Sequence, residues 1–223
     1  MTAIPHPDET IPRAPAQDGH KSLFAALDLI ERAVVAALFG FFVYRMIDAF
    51  ITTGAVINLV LVVSEGLVVV LVLIRRAARN VSLNPVDWVL AFVATAAPLC
   101  AAPGTAAPLV PSVFCVLLTF AGLLLQIAAK LSLWRNFGII AANRGITTGG
   151  VYNLVRHPMY AAYLLTGIGF LLANPTVWNA GIYAIAFSFQ VARILAEERL
   201  LGADADYRAF AGRVRYRVIP GIF

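Results

Sequence analysis

Long apolar runs, separated by short polar stretches, make up most of this chain. They cover residues 33–52, 55–74, 86–102, 109–129, 158–173 and 176–195. An α-helix needs about 20 consecutive apolar residues to cross a bilayer, and it satisfies its own backbone hydrogen bonds there. The pattern therefore predicts an all-α integral membrane protein of about six transmembrane helices.

The polar stretches divide the chain into three predicted parts. Residues 1–21 are rich in proline and polar side chains, which predicts a disordered cytoplasmic leader. A cleavable signal peptide is not expected, because acidic residues lie where such a peptide is basic. Residues 22–130 are predicted to form a four-helix transmembrane scaffold. Residues 131–223 are predicted to hold the chemistry, in a cytoplasmic loop, a helical hairpin and a C-terminal tail.

Composition and charge support a membrane protein with both termini in the cytoplasm. The chain is 61% hydrophobic and 13% charged, against about 45–50% and about 25% in ordinary soluble domains. With the N-terminus inside, only Arg45 of the 17 Lys and Arg residues falls towards the outside, as the positive-inside rule requires. This bias and attraction to anionic lipids account for the net charge, so no nucleic-acid partner is predicted. The compact chain favours a bacterial inner membrane.

Two predicted helices near the C-terminus bring polar residues together. Pro158 suits the first turn of one helix, and Asn174 followed by Pro175 is predicted to cap the next, which runs through Leu201. Because the two helices are antiparallel, residue 157 is expected at the depth of residue 192. The hairpin therefore predicts a polar cluster at the cytoplasmic interface, formed by Arg156, His157, Tyr160, Arg193, Glu197 and Glu198. Arg193 and Glu197 are spaced to share one helix face.

Several of these residues form a recognisable pattern. The chain contains Thr148-Gly149-Gly150-Val151-Tyr152, followed by Arg156-His157-Pro158-Met159-Tyr160 and later by Arg193 and Glu197-Glu198. This pattern resembles the isoprenylcysteine carboxyl methyltransferase and phospholipid methyltransferase group. That group has an Arg-His-Pro-x-Tyr motif and a later pair of glutamates. The likeness extends from Leu131 to the C-terminus, although Phe210 replaces a tyrosine of the family pattern. The first four predicted helices match no motif.

The resemblance implies an enzyme that transfers a methyl group from S-adenosylmethionine, with a cofactor pocket at the cytoplasmic end. It implies that the cofactor is bound by His157, Tyr160, Glu198, Tyr152, Gly149, Gly150 and Trp134. It implies catalytic roles for Arg193, Glu197 and Arg156. The residue types suit the cofactor, because carboxylates bind ribose hydroxyls or balance positive charge and aromatic faces bind adenine or a sulfonium. His157 suits the cofactor carboxylate.

The acceptor is left open between a carboxylate, a thiol and an amine. Methyl transfer is an in-line displacement, so most of the rate comes from positioning. A carboxylate needs no base and is suited to contact with Arg193, whereas a thiol or amine needs a base such as Glu197, Glu198 or His157. We expect a lipophilic or membrane-delivered acceptor that enters laterally from the bilayer, with membrane lipids as neighbours.

Two other functions compete with the methyltransferase interpretation. Membrane reductases related to the sterol reductases have a related helical arrangement, but they use a dinucleotide. A non-enzymatic membrane scaffold subunit would keep the hairpin only as part of its fold. The proline after His157 and the pair of glutamates favour the methyltransferase.

Charged residues also lie within the scaffold helices. Glu65 falls at the middle of the second apolar run, where an ionised side chain is costly and indicates a functional site. Arg45 lies at a similar depth, so the two are candidates for substrate binding or for a structural ion pair, with Asp48 as another partner for Arg45. Cys100 and Cys115 both fall towards the outside and are interpreted as packing residues, although a disulfide is chemically possible.

Overall fold

The structure, a computed structural model, describes residues 16–54, 56–78, 80–102 and 107–223. These residues form α1 (Ala16–Thr53), α2 (Val56–Ile74), α3 (Pro85–Ala96), α4 (Ser112–Leu133), α5 (Pro158–Ala173), α6 (Val177–Leu201) and α7 (Ala205–Arg213). Two short strands, β1 (Asn80–Val81) and β2 (Ala142–Asn143), pair antiparallel. The predicted all-helical fold is therefore confirmed.

Each of the six predicted spans corresponds to an apolar helix, but only three of these helices are membrane-length among the described residues. Those three are Ala25–Thr52, Ser112–Asn136 and Val177–Leu201. The shorter apolar helices are Leu59–Ile74, Pro85–Ala96 and Pro158–Ala173. The predicted leader lies mainly outside the described residues, and its last residues, 16–21, belong to α1.

Side-chain caps fix where several helices begin. Asn84 Oδ1 accepts the Val86 amide at 3.0 Å and Pro85 opens α3. Thr176 Oγ1 accepts the Asn179 amide at 3.1 Å at the start of α6. The prediction that Asn174 caps this helix was wrong by two residues, because the Asn174 side chain donates instead to the Phe170 carbonyl at the end of α5. The backbone torsions of the loop determine whether Asn174 or Thr176 caps α6, and the sequence pattern does not specify these torsions.

Glycines allow α5 to lie directly against its neighbours. A Cβ at Gly169 would lie 2.9 Å from the Thr119 amide nitrogen of α4, and one at Gly122 would lie 2.8 Å from the Thr166 amide nitrogen of α5. A Cβ at Gly167 would lie 2.8 Å from the Tyr183 ring of α6. Small residues of this kind let helix backbones approach closely within a membrane.

Much of the outer surface is apolar. Large hydrophobic side chains stay exposed along several helices, among them Leu29, Ile51, Phe92, Val113, Leu124 and Val177. Water would disfavour such wide apolar exposure, whereas lipid tails accommodate it. The exposed apolar surface and the three long apolar helices indicate a membrane protein.

A buried ion pair joins α2 to α4. Lys130 is 0% exposed, and its ammonium lies 3.2 Å from Glu65 and 2.9 Å from Ser64 Oγ. The ion pair considered between Glu65 and Arg45 was therefore wrong, because Glu65 pairs with Lys130 of α4. Arg45 is exposed and forms no ion pair with Glu65 or Asp48 among the described residues. The sequence shows how far along a helix a residue lies, but packing determines which neighbouring helix its side chain faces.

The two cysteines do not form a disulfide. Cys100 is exposed and Cys115 is buried in α4, and both are free thiols. The interpretation of Cys115 as a packing residue agrees with its place against Gly169, whose Cβ would lie 3.0 Å from the Cys115 carbonyl.

Candidate functional site

A cavity lies at the end of the helix bundle where α4 and α6 finish. Its volume is about 120 Å³, and it is partly open to solvent. The walls come from the end of α4, the segment 136–147, the start of α5, the end of α6 and α7. This volume is below the range of about 300–1,000 Å³ found for small-molecule sites.

The first turn of α5 is held in place by the C-terminal tail. The Arg156 amide donates to the Tyr216 carbonyl at 2.9 Å, and the His157 amide donates to the Arg217 carbonyl at 2.7 Å. Pro158 then begins the helix, where its missing amide hydrogen has no intrahelical partner to lose. The Arg-His-Pro segment therefore has a fixed backbone against which its side chains are oriented.

Glu197 is the carboxylate that faces the cavity. Its Oε1 accepts a hydrogen bond from the Tyr160 hydroxyl at 2.5 Å and lies 3.2 Å from Arg193 Nε. Arg193 also donates to the Ile139 carbonyl and has its guanidinium carbon 5.4 Å from the centre of the Tyr160 ring. Each of these groups is fixed by at least one other, so the charges of Glu197 and Arg193 are held in one arrangement.

Glu198 faces a different set of partners. Its carboxylate lies 2.9 Å from Arg156 Nε, 3.2 Å from His157 Nε2 and 2.8 Å from Arg217 Nε. His157 Nδ1 lies 3.9 Å from Glu197, so the imidazole stands between the two carboxylates. Glu198 thereby joins α6 to the start of α5 and to the C-terminal tail.

Tyrosines line the side of the cavity towards α7. Burial, followed by the charge of Glu197, raises the pKa of Tyr152 well above its ordinary value. Burial, followed by the charge of Glu198, likewise raises the pKa of Tyr207. Both hydroxyls therefore stay neutral at physiological pH and present polar groups within an otherwise aromatic wall that includes Phe210.

Six of the predicted site residues line the cavity: Tyr152, Arg156, His157, Tyr160, Arg193 and Glu197. The hairpin thus assembles the polar cluster as predicted. Four predicted cofactor ligands, Glu198, Gly149, Gly150 and Trp134, are not among the lining residues. Gly150 has a positive φ of +62°, and a Cβ at this position would lie 2.5 Å from Ser132 Oγ. Both observations favour glycine in the turn before Tyr152. Trp134 is 51% exposed directly after α4.

The two residues predicted for substrate binding do not line the cavity either. Glu65 belongs to the buried network with Lys130 and Ser64, and Arg45 lies on the exposed side of α1. Gln126 of α4 belongs to the same buried network, since it accepts from Ser64 Oγ at 3.0 Å.

Sequence reasoning missed a second buried charge cluster beside the cavity. It consists of Asp28 and Glu31 of α1, Arg75 after α2, and Arg144, which lines the cavity. Burial lowers the pKa of Arg144, and the charge of Arg75 adds to this effect. A sequence signal was present: two acidic residues three positions apart at the start of an apolar helix, where the predicted scaffold was expected to carry little chemistry.

Residues 110–203 match the family described as phospholipid methyltransferase. This segment is similar to that family of integral-membrane methyltransferases. The match covers α4, α5 and α6, and therefore His157, Tyr160, Arg193, Glu197 and Glu198. No curated protein matches the chain. The resemblance stated from the motifs is confirmed, and the phospholipid methyltransferase segment supports a membrane methyltransferase in general terms.

Proposed function

We propose that this chain transfers a methyl group from S-adenosylmethionine to a lipophilic acceptor. The observation that carries the proposal is the fixed arrangement of Glu197, Arg193 and Tyr160 in an aromatic cavity within the phospholipid methyltransferase segment. The cavity lies at the end of membrane-length helices and is lined by the motif residues of α5.

The chemistry of the lining suits this cofactor. S-adenosylmethionine supplies an electrophilic methyl group when bound. Its sulfonium is cationic, and Glu197 together with the faces of Tyr152 and Tyr160 offers the negative charge and π-electrons that such a cation needs. Asn136 Oδ1 is buried at the cavity wall without a hydrogen-bond partner and suits a donor group of the ligand.

The protein side chains divide into groups that face the ligand and groups that hold them. Arg193 orients Glu197 and is already engaged by the Ile139 carbonyl, so we assign it to positioning more than to direct binding of an acceptor carboxylate. Glu197 is the group placed to remove a proton from a thiol or amine acceptor. His157 contacts the cavity, and Arg156 holds Glu198, which is itself outside the cavity lining.

The membrane surroundings favour a lipophilic acceptor that arrives from the bilayer. The apolar exterior of α4 and α6 continues to the cavity end of the bundle, where Leu131 and Leu195 are exposed. We place this end in the cytoplasm, with both termini inside and the bacterial inner membrane as the location, because the loop arginines cluster there. Carboxylate, thiol and amine acceptors remain the candidates.

Calorimetry on the detergent-purified full chain tests the cofactor. We expect saturable binding of S-adenosylmethionine and its demethylated product, lost in folded His157→Ala and Glu197→Ala and retained in Asp206→Ala, whose side chain is exposed on α7. A folded wild-type chain that binds neither compound, even with lipid restored, would rule the proposal out. Binding of a reduced dinucleotide would favour the reductase, and failure to bind either cofactor would favour the scaffold subunit.

A further inference from the structure

A buried cluster of charges connects α1 to the segment that forms one cavity wall. Arg75 Nη2 lies 2.7 Å from Asp28 and 2.9 Å from Glu31, and Arg144 Nη2 lies 3.1 Å and 3.2 Å from the same two carboxylates. All four side chains are at most 10% exposed. Charges this well buried persist only when they are paired and hydrogen-bonded, so the cluster holds one geometry.

Glu31 has a second set of contacts that Asp28 lacks. Its Oε1 accepts hydrogen bonds from the backbone amides of Ile139 at 3.0 Å and Ile140 at 3.2 Å. The carbonyl of Ile139 accepts from Arg193. The backbone at Ile139 is therefore held on one side by α1 and on the other by the arginine that orients Glu197.

The held backbone belongs to the cavity. Gly138, Ile140, Ala141 and Arg144 all line it. A Cβ at Gly138 would collide with the Arg144 guanidinium, so the arginine packs directly against the wall backbone. Movement of this segment would change the shape of the cavity and the position of Arg193 at the same time.

We propose that Glu31 is a positioning residue for the cofactor cavity and that α1 is thereby part of the methyltransferase site. This inference rests on the proposed function. Glu31 lies outside residues 110–203, so the phospholipid methyltransferase segment takes one of its wall contacts from a helix beyond the family match. Without Glu31, the partly buried Ile139 amide and the buried Ile140 amide would lose their acceptor, and the wall would shift to satisfy them.

Asp28 provides the matched control. Asp28→Ala and Glu31→Ala each remove one carboxylate from Arg75 and Arg144, and Asp28→Ala also removes the 2.7 Å partner of Arg32. Only Glu31→Ala removes the acceptor of the Ile139 and Ile140 amides. Hydrogen exchange of the ligand-free chain is measured first. We expect the amides of residues 139–140 to exchange at least roughly tenfold faster in Glu31→Ala than in Asp28→Ala, because a hydrogen bond to a charged group is worth that factor or more.

Calorimetry then follows the effect to the cofactor. We expect Glu31→Ala to weaken S-adenosylmethionine binding roughly tenfold relative to Asp28→Ala, at a similar unfolding temperature. Equal exchange rates and equal affinities in the two variants would overturn the proposal. If the wild-type chain binds no S-adenosylmethionine, the proposed function fails, whereas the exchange measurement still decides the role of Glu31.

Two conservative variants keep the test informative if Glu31→Ala does not fold. Glu31→Gln keeps an oxygen at the same reach but loses the charge, and Glu31→Asp keeps the charge but is one methylene shorter. We expect Gln to protect the Ile139 and Ile140 amides and to retain cofactor affinity better than Asp. The reverse order would mean that charge alone matters at this position, and it would contradict the proposal.

Discussion

Two adjacent glutamates of α6 have different partners because neighbouring residues on a helix point about 100° apart. Glu197 faces the cavity with Tyr160 and Arg193, and Glu198 faces Arg156, His157 and Arg217. Glu197 therefore faces the ligand, and Glu198 holds the start of α5 and the C-terminal tail. The motif alone does not separate them, since rotation of α6 about its axis is set by packing.

This division gives opposite expectations for two neutral substitutions. Glu198→Gln leaves three basic groups without a counter-charge, so we expect it to lower the free energy of unfolding by about 2–4 kcal/mol. Glu197→Gln keeps an acceptor for the Tyr160 hydroxyl and should cost less stability, but it should weaken S-adenosylmethionine binding more. Thermal unfolding and calorimetry in the same detergent measure both effects. A larger stability loss in Glu197→Gln would show that the roles are reversed.

The sequence predicted which side chains meet only where helix geometry alone determines the contact. The antiparallel hairpin and the one-turn spacing placed Tyr160 and Arg193 beside Glu197 from the sequence alone. The partner of Glu65 was not predictable in this way, because Lys130 reaches it from α4 by a long flexible stem across a tertiary contact. Asp28 and Glu31 were missed for the same reason, since their partners lie far along the chain.

Among the helices, α5 depends on its glycines for contact with α4. A Cβ at Gly169 would meet the Thr119 amide nitrogen at 2.9 Å and the Cys115 carbonyl at 3.0 Å, and backbone atoms cannot move aside. We expect Gly169→Ala to lower the free energy of unfolding by about 1–3 kcal/mol through overpacking.

Gly181 in α6 is the matched control for Gly169. A Cβ there would meet nothing within 4 Å, and alanine is the better helix former by about 0.5–1 kcal/mol. We therefore expect Gly181→Ala to leave the unfolding temperature unchanged or to raise it, as thermal unfolding in detergent will show. Equal losses in the two variants would mean that loss of glycine itself, and not the contact with α4, is responsible.

Helix positions followed closely from the apolar pattern, and helix boundaries less so. Runs of apolar residues located α2, α3 and α5, whereas the cap of α6 moved from Asn174 to Thr176. The chain also continues α1 back to Ala16 through residues that composition assigned to a leader. Composition reports what a segment contains, but not whether a neighbouring helix extends through it.

At the scale of the whole molecule, the two ends of the bundle differ in chemistry. The motif residues and the exposed Arg213 and Arg215 lie at one end. Cys100 and the start of α6 lie at the other end, where Trp178 Nε1 donates to the Cys100 carbonyl at 2.9 Å. This polarity makes the proposed topology measurable with thiols that the chain already carries.

We expect a membrane-impermeant maleimide to label Cys100 in sealed right-side-out vesicles and to leave buried Cys115 unlabelled. In a Cys100→Ser background, Arg213→Cys should label only in inverted vesicles, because it lies at the cavity end. Mass spectrometry of the labelled peptides reads both results. The opposite pattern would place the cavity on the outer side of the membrane.

The pairing of Glu65 with Lys130 also has a consequence for the order in which the protein is made. The two residues are 65 positions apart, so at about 5–20 residues per second the ribosome adds Glu65 roughly 3–13 seconds before Lys130. During that interval the α2 carboxylate has no ammonium partner, and a charge at the bilayer centre costs roughly 2.5–3.5 kcal/mol on the insertion scale. We therefore expect α2 to become more stable in the membrane once α4 supplies Lys130.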